Sequence, residues 1–256
     1  MNLPKISIIT VTYNAEALLE RTLKSILTQT YPNKEYIIID GNSKDNTINI
    51  IQKNAHYLDF WLSEPDQGIY DAMNKGIRQA SGDYIVFMNA GDTFYKEDTL
   101  EKIFENNTWA DIYYGEAQMI KPDTLEPAGL RSEFTPHRLP ENLTWQSMAW
   151  GMVVCHQAIL VKTTLIEDFD LAYQYSSDID WVIRMLKKAK TIENTHQIIA
   201  TYLLGGLSAQ KRKKSLKERY QILKKHFGFF PNLFNHLLIF LRGFALIVKH
   251  KKKYWD

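Results

Sequence analysis

Short apolar runs alternate with helical patterns through the first half of the chain, and this alternation limits the fold more than any other feature. The run 6–11, ISIITV, is β-branched and almost wholly apolar, which is typical of a strand buried on both faces. Comparable strands are expected at 35–40, 57–62 and 83–88. Helical spacing predicts the intervening helices over 15–29, from Asp45 and Thr47 onward, and over 70–80. Strand–helix repeats with short connections predict a parallel sheet covered by helices.

The second half of the chain follows a looser pattern. It contains an expected strand over 109–117, a helix over 178–189, a returning strand over 191–202 and a basic helix over 210–226. We therefore expect an α/β domain with a mostly parallel central sheet over residues 1–208, divided into the halves 1–108 and 109–208. A helical C-terminal extension, first basic and then apolar, is expected over 209–256.

The composition is that of an ordinary soluble protein, since 45% of the residues are hydrophobic and 23% are charged. A formal net charge of +2 gives no argument for a nucleic-acid partner. The single cysteine, Cys155, excludes an internal disulfide framework and fits a reducing compartment. We see no secretory signal and no run of about 18 to 20 apolar residues, so a cytoplasmic location is expected.

Polar residues follow each of the four predicted strands, at the point where the strand ends. They are the segments 12–14, 40–43, 64–68 and 89–92, and three of the four carry a carboxylate. A single Asp after a strand is commonly only a turn residue or a helix cap. Because ligands of parallel sheets bind beyond the carboxyl ends of the strands, four such segments together predict a ligand site.

The same segments resemble the family 2 glycosyltransferases, which have the GT-A fold. The resemblance lies in 6–47, 63–77, 82–92, 176–186 and 203–208, and it covers about the first 210 residues. The amino-acid sequences of these segments are most similar to those of transferases of O-antigen, capsule and exopolysaccharide assembly. The resemblance implies an inverting enzyme that transfers a sugar from a nucleoside diphosphate, by family habit UDP.

The resemblance also assigns the two halves, with the nucleotide sugar bound by 1–108 and the acceptor by 109–208. The base and ribose are expected against Tyr13 and Asp40. The complete set of expected nucleotide contacts is Thr12, Tyr13, Asp40, Asp66, Gly68 and Asn74.

Asp92 is the last residue of the family's acidic metal motif. The motif usually ends in two adjacent carboxylates, whereas this chain has Gly91 before Asp92. Mg²⁺ or Mn²⁺ is commonly held by few carboxylates together with phosphate oxygens, so Asp92 alone is sufficient for the expected ion. The missing carboxylate leaves open an alternative, a catalytically degenerate homologue that only binds nucleotide sugar. An unrelated dehydrogenase or P-loop enzyme is excluded, because neither glycine motif is present.

Asp178 matches the family's catalytic base, which takes a proton from the acceptor hydroxyl. Its position in the first turn of the predicted helix 178–189 allows a second interpretation, a carboxylate that only stabilises the helix end. Asp180 is the next candidate, although it lies about 200° from Asp178 around the helix.

Acceptor contacts are expected from His156, Gln157, Asp180 and Trp150. A lone histidine is more often a core residue, and Trp150 with Trp145 forms either a sugar-stacking platform or part of the core. A metal contact from His196 has no support in its spacing.

Residues 229–248 are strongly apolar but contain Pro231, Asn235, His236 and Arg242, with basic residues on both sides. The run is too broken to span a membrane comfortably. We expect a helix that lies in the headgroup region at the inner face of the plasma membrane. A polyprenyl-diphosphate-linked glycan is the corresponding acceptor, and a core or dimer helix is the alternative.

Overall fold

The computed structural model describes the backbone of residues 3–106 and 108–250, and the side chains of those residues except 207 and 246–250. The predicted basic and aromatic terminus at 251–255 lies outside the described residues. The strands are β1 (Ile6–Thr12), β2 (Lys34–Asp40), β3 (Phe60–Ser63), β4 (Tyr84–Phe87), β5 (Thr93–Phe94), β6 (Ile112–Ile120), β7 (Pro127–Leu130), β8 (Ile159–Lys162) and β9 (Ile192–Leu203). The α-helices are α1 (Leu19–Leu27), α2 (Thr47–Lys53), α3 (Ile69–Gln79), α4 (Thr99–Ile103), α5 (Arg131–Phe134), α6 (Ser177–Lys188), α7 (Leu207–Gln210), α8 (Arg212–Phe227) and α9 (Phe229–His250).

All described strands belong to one sheet, in the order β3-β2-β1-β4-β8-β6-β9-β5, with β7 beside β6. The pairs β1–β2, β2–β3, β1–β4 and β6–β9 are parallel. Antiparallel pairing enters with β8, which lies between β4 and β6. The predicted α/β class, with a mostly parallel central sheet, flanking helices and C-terminal helices, is confirmed.

Alternate residues of the central strands pack on opposite faces of the sheet, as the two-residue period of a strand requires. Ile9 and Ile37 face the layer that contains α3, α6 and α8, whereas Ile8 and Ile38 face the layer of α1 and α2. Both faces are covered, which explains why these strands are apolar along their whole length.

Several predicted boundaries differ from the observed ones for local reasons. Helix α1 begins at Leu19 instead of residue 15, because the amide of Ala15 is bonded to Thr47 Oγ1 at 2.8 Å. Strand β3 begins at Phe60, after a short 3₁₀ helix over Ala55–Tyr57. Strand β6 runs three residues later than expected. The strands β5, β7 and β8 were not predicted. Each is short and, unlike the equally short β3 and β4, comes after the strand–helix repeat that ends with β4.

The C-terminal helices pack on the domain. Ile222 and Leu223 of α8 are buried in the same apolar cluster as α6. Helix α9 contacts the 3₁₀ helix Trp145–Trp150, and Asn235 Nδ2 donates to the Ala149 carbonyl at 3.2 Å. In the described part of the chain, no helix combines the length and apolarity needed to cross a membrane.

Candidate active site

The loops after β1 and β2 are joined by hydrogen bonds between them. Asn14 N donates to Ser43 Oγ at 2.8 Å, and Lys44 N donates to Asn14 Oδ1 at 2.8 Å. Asn14 and Asn42 have positive φ values of 47° and 64°, a conformation that asparagine tolerates better than most residues. The sequence therefore holds both loops in one arrangement at the carboxyl edge of the sheet.

Asp40 lies at the centre of this arrangement and is fully buried. Its carboxylate accepts hydrogen bonds from Ser43 N at 2.9 Å, from Ser63 Oγ at 2.6 Å and from Ser43 Oγ. An ionised carboxylate offers about four acceptor positions, so three of those of Asp40 are used within the protein. Its observed contacts connect the ends of β2 and β3.

Tyr13 and Asp66 both lie against Gly41, next to Asp40, and we call these three residues the slot. Tyr13 is 63% exposed, so its ring presents an uncovered face. A Cβ atom on Gly41 would overlap the Asp66 carboxylate and lie 3.3 Å from the Tyr13 ring, so only glycine lets these two side chains approach. Gly41 was not among the predicted contacts, and only its position between Asp40 and Asn42 pointed to it.

Asp66 is held on the opposite wall of this slot. Gly68 N donates to Asp66 Oδ1 at 2.8 Å, and Gly68 has a φ of 119° that requires glycine. Partial burial raises the pKa of Asp66, an effect that the Gly68 hydrogen bond and Lys75 oppose. A half-buried carboxylate beside an exposed aromatic ring suits the polar edge and the flat face of a nucleoside.

Two further predicted nucleotide contacts are buried. Thr12 Oγ1 has no hydrogen-bond partner among the described residues. Asn74 binds the Phe169 backbone at both ends of its amide, through Nδ2 to O at 3.0 Å and Oδ1 to N at 2.7 Å. The structure therefore does not bring the Asn74 amide to the slot, because it joins α3 to the loop before α6.

Asp92 is buried near the end of β9. Gln157 Nε2 donates to Asp92 Oδ2 at 2.8 Å, and Leu203 N donates to Oδ1 at 3.4 Å. Burial raises the pKa of Asp92 to about 7, although Gln157, Leu203 and Arg21 each lower it. The backbone favours glycine at position 91, where the family motif usually has a carboxylate. Gly91 has a φ of 101°, and a Cβ there would lie 2.8 Å from Leu203 Cδ1.

The residues at this edge fit a divalent cation. Asp92 is a buried carboxylate without an ion-pair partner within 4 Å in the described residues. Thr12 Oγ1 and Asn89 Oδ1 are buried oxygen atoms without hydrogen-bond partners, on the segments after β1 and β4. Mg²⁺ and Mn²⁺ prefer oxygen ligands. Among the described residues, no group of three or more His, Cys, Asp or Glu side chains could hold a metal ion, so phosphate oxygens of a ligand would complete the coordination.

Asp178 is half-buried in the first turn of α6. Its Oδ1 accepts a hydrogen bond of 3.0 Å from the hydroxyl of Tyr70, on the first turn of α3. Ser176, the N-cap, makes no side-chain capping bond. The Asp178 carboxylate is therefore directed from the predicted acceptor half toward the first turn of α3.

Asp180 faces the opposite way and does not join the site, contrary to the acceptor contact expected of it. It is fully buried, and its carboxylate binds Arg184 Nε at 2.8 Å, Lys225 Nζ at 3.1 Å and His226 Nε2 at 2.8 Å. Burial raises the pKa of Asp180, but the bonds from His226, Arg184 and Lys225 lower it far more. Its observed role is to join α6 to α8.

His156 and Gln157 lie between the two carboxylates. His156 is buried, stacks on Phe87 with 5.0 Å between ring centroids, and has no hydrogen-bond partner at Nε2 among the described residues. Burial lowers the pKa of His156 and the charge of Asp178 raises it, which leaves a neutral imidazole near Asp178. Since Gln157 binds Asp92, this dipeptide connects the Asp92 and Asp178 sides of the site.

The predicted aromatic platform is covered by the protein's own side chains. The Arg242 guanidinium lies 4.8 Å from the Trp150 ring centroid, and Trp145 stacks on Phe227 at 5.5 Å. Neither ring face in these contacts is free for a sugar. His196 is an exposed residue of β9. Its Nε2 lies 3.5 Å from Glu141 Oε1, and it makes no contact with Asp92 within 4 Å among the described residues.

Comparisons with known proteins agree with this geometry. The family described as Glycosyl transferase family 2 matches residues 7–162. A PGL/p-HBAD biosynthesis glycosyltransferase of Mycobacterium bovis is 32% identical over 219 residues, which cover 81% of this chain and 80% of the relative.

Solved structures show the fold. S. aureus TarS in complex with UDP-GlcNAc has a TM-score of 0.63 at 16% identity and covers 96% of this chain and 73% of its own. The mannosyltransferase PcManGT from Pyrobaculum calidifontis, in complex with GDP-Man and Mn²⁺, has a TM-score of 0.64 at 17% identity and covers 97% and 75%. The fold is thus the GT-A fold of nucleotide-sugar transferases. The chain belongs to glycosyl transferase family 2 and is a glycosyltransferase.

Proposed function

We propose that this glycosyltransferase inverts the anomeric centre as it moves a sugar from a nucleoside diphosphate, with UDP preferred, to a hydroxyl of a lipid-linked glycan. The main supporting observation is the half-buried Asp178 carboxylate, which Tyr70 holds at 3.0 Å on the acceptor side of the site. Asp92, the residue that would bind the metal ion, lies on the nucleotide side.

Asp178 acts as the base in this proposal. It takes the proton of the acceptor hydroxyl while that oxygen bonds to the anomeric carbon. The bond between the anomeric carbon and the diphosphate oxygen breaks, and its electron pair leaves with the nucleoside diphosphate. Because attack and departure occur on opposite faces of the sugar, the configuration inverts.

The slot formed by Tyr13, Gly41 and Asp66 supports a nucleoside in the donor site. The exposed Tyr13 ring offers a stacking surface, while Asp66 accepts hydrogen bonds from the nucleoside. Relatives of the same fold were solved with UDP-GlcNAc and with GDP-Man, so both nucleotides belong in the test.

A Mg²⁺ or Mn²⁺ ion held by Asp92 would offset the charge that develops on the leaving diphosphate. The protein's contribution is the buried carboxylate, positioned by Gln157 and Leu203. The solved mannosyltransferase complex with Mn²⁺ supports this assignment by analogy.

The surface of α9 supports a membrane-bound acceptor, such as a polyprenyl-diphosphate-linked glycan, at the inner face of the plasma membrane. One face of α9 is turned to the protein through Asn232 and Asn235. The other exposes large apolar side chains at helical spacing, namely Phe230, Leu233, Phe234, Leu237, Phe240, Leu241 and Phe244. An exposed apolar stripe beside the lysine-rich helix α8 suits anionic lipid headgroups.

The proposal is tested by calorimetric titration with UDP, GDP and dTDP, each with Mn²⁺ and with EDTA. We expect UDP to bind tightly only with Mn²⁺. The matching activity measurement is nucleoside diphosphate release from UDP-glucose, UDP-galactose, UDP-GlcNAc and GDP-mannose. Binding without any release would favour the alternative of a degenerate nucleotide-sugar-binding homologue, which Gly91 in place of a carboxylate motivates.

A further inference from the structure

The base candidate Asp178 follows the loop 169–176, whose first part is held by hydrogen bonds from Ala172, Tyr173 and Ser177 to Asp170. The loop 169–176 leads directly into α6, and its last residue, Ser176, makes no side-chain cap. A helix whose first turn carries a reacting group needs that turn held to a fraction of an ångström. Residues of α8 and α3, outside the loop, bind its two ends.

Two residues of helix α8, Glu218 and Ser215, bind the end of this loop. Glu218 Oε1 accepts from Gln174 N at 3.0 Å, and its Oε2 accepts from Tyr175 N at 2.8 Å. One turn earlier on α8, Ser215 Oγ lies 2.9 Å from Ser176 Oγ, and both serines are buried. The two backbone amides and the N-cap residue immediately before α6 are thus all bound by one face of α8.

Glu218 stands out on this helix because α8 is otherwise basic. It is the single acidic residue of the segment RKKSLKERYQILKKHF. Both of its oxygens are used on backbone amides of another element. A carboxylate that binds two N–H groups makes charge-assisted hydrogen bonds, which are roughly twice as strong as neutral ones.

The start of the loop is held from the nucleotide half. Asn74 binds both backbone groups of Phe169, and Tyr70 stacks on the Phe169 ring with 5.3 Å between centroids. The same Tyr70 donates to Asp178. Tyr70 therefore contacts both the start of the loop and the first turn of α6.

We propose that Glu218 is a positioning residue for the transfer reaction, which sets Asp178 against Tyr70 by fixing the Gln174 and Tyr175 amides. This inference rests on the proposed role of Asp178 as the base. It gives the C-terminal region a part in catalysis that is separate from any contact with a membrane. Loss of Glu218 should slow turnover without weakening nucleotide binding, since the Glu218 carboxylate binds the Gln174 and Tyr175 amides and not the slot residues.

The test compares Glu218→Ala, Glu218→Gln and the neighbouring exposed control Lys217→Ala. Turnover is the release of UDP from the UDP-sugar panel with saturating Mn²⁺, and nucleotide affinity is the Kd for UDP at the same Mn²⁺ concentration. Both are measured well below the melting temperature of each variant. We expect kcat of Glu218→Ala to fall about 10- to 100-fold, the cost of a misplaced reacting group, with the Kd for UDP within twofold of the unaltered protein. Glu218→Gln keeps one carbonyl acceptor, so its kcat should lie between those of Glu218→Ala and the unaltered protein.

A Glu218→Ala variant with a lower melting temperature but an unchanged kcat would overturn the proposal, because the contacts would then be structural only. A parallel loss of UDP affinity would also overturn it. If Asp178→Asn retains full turnover, the base assignment fails first and the Glu218 proposal with it. A normal Glu218→Ala together with an inactive Asp178→Asn removes the Glu218 proposal alone.

Discussion

The two halves of the site are assembled in different ways. In the predicted nucleotide half, Ser43 binds Asp40 from three positions away, and Ser63 binds it from 23 positions away. In the predicted acceptor half, Asp178 is bound by Tyr70 of α3, 108 positions away, and Tyr175 before α6 is bound by Glu218 of α8, 43 positions away. Local motifs therefore describe the first half well, whereas the second depends on tertiary packing.

The sharpest test of this contrast is Asp178→Asn. It removes the proposed base while keeping the size of the side chain, so kcat should fall by about 10²- to 10⁴-fold, with UDP affinity nearly unchanged. The measurement is UDP release beside calorimetric UDP binding. Asp168→Asn, an exposed carboxylate paired with Arg78, is the matched control and should keep full activity. Equal turnover in both variants would remove Asp178 from the mechanism.

Asp92→Asn examines the nucleotide half. It should weaken Mn²⁺-dependent UDP binding by about tenfold or more, because the buried carboxylate that would bind the ion is lost. The melting temperature in EDTA should hardly change, since burial disfavours the charge of Asp92 and raises its pKa to about 7. Asp98→Asn, at an exposed pair with Lys102, is the control. UDP binding by Asp92→Asn that still requires Mn²⁺ at full affinity would contradict the metal assignment.

The membrane proposal predicts a loss of vesicle binding when the exposed α9 face is made polar. The triple variant Phe234→Ser, Leu237→Ser and Phe240→Ser should sediment with phosphatidylglycerol-containing vesicles at least tenfold less, because each phenylalanine or leucine contributes up to about 2 kcal/mol when buried. Leu125→Ser, at an exposed apolar residue elsewhere, should sediment normally. If the unaltered protein ignores the vesicles and instead forms a dimer that the triple variant abolishes, α9 is a dimer helix.

Acid should weaken the two halves at different pH. Burial lowers the pKa of His137 to about 3. Below pH 6.5, His137 therefore becomes protonated in the unfolded chain but stays neutral in the folded protein. Stability should therefore decrease by about 2 kcal/mol between pH 6.5 and 5. Burial pushes the pKa of Glu35 up, but hydrogen bonds from Lys5, Ser7 and Ser81 bring it down to about 2. The contribution of Glu35 is complete above about pH 4.5 and is lost as the pH falls toward 2.

Urea unfolding at pH 7, 5 and 3 measures both steps. His137→Gln should flatten the step between pH 6.5 and 5, and Glu35→Gln only the lower one. A His137→Gln variant that keeps the upper step would show that another group titrates there.

The sequence allowed the parallel strands and the four polar loops to be predicted because strand burial and turn chemistry are local. The roles expected of Asp92 and Asp178 came from the resemblance to the family 2 glycosyltransferases. Asp180 and Trp150 were placed in the acceptor site because nothing near them in sequence indicates Lys225, His226 or Arg242. Asn74 was likewise expected at the nucleotide, yet its partner is 95 positions away. Such contacts depend on how helices pack, which a local pattern does not record.

The ionic cluster around Asp180 has a practical meaning for protein engineering. The family match ends at Lys162, inside the sheet, and the first 208 residues look like a complete module by sequence. A chimera joined after residue 208 would separate the buried Asp180 from Lys225 and His226 and leave only Arg184 beside it, and breaking a buried ion pair typically costs about 3 to 5 kcal/mol. The unit that can be exchanged between relatives therefore extends through the end of α8.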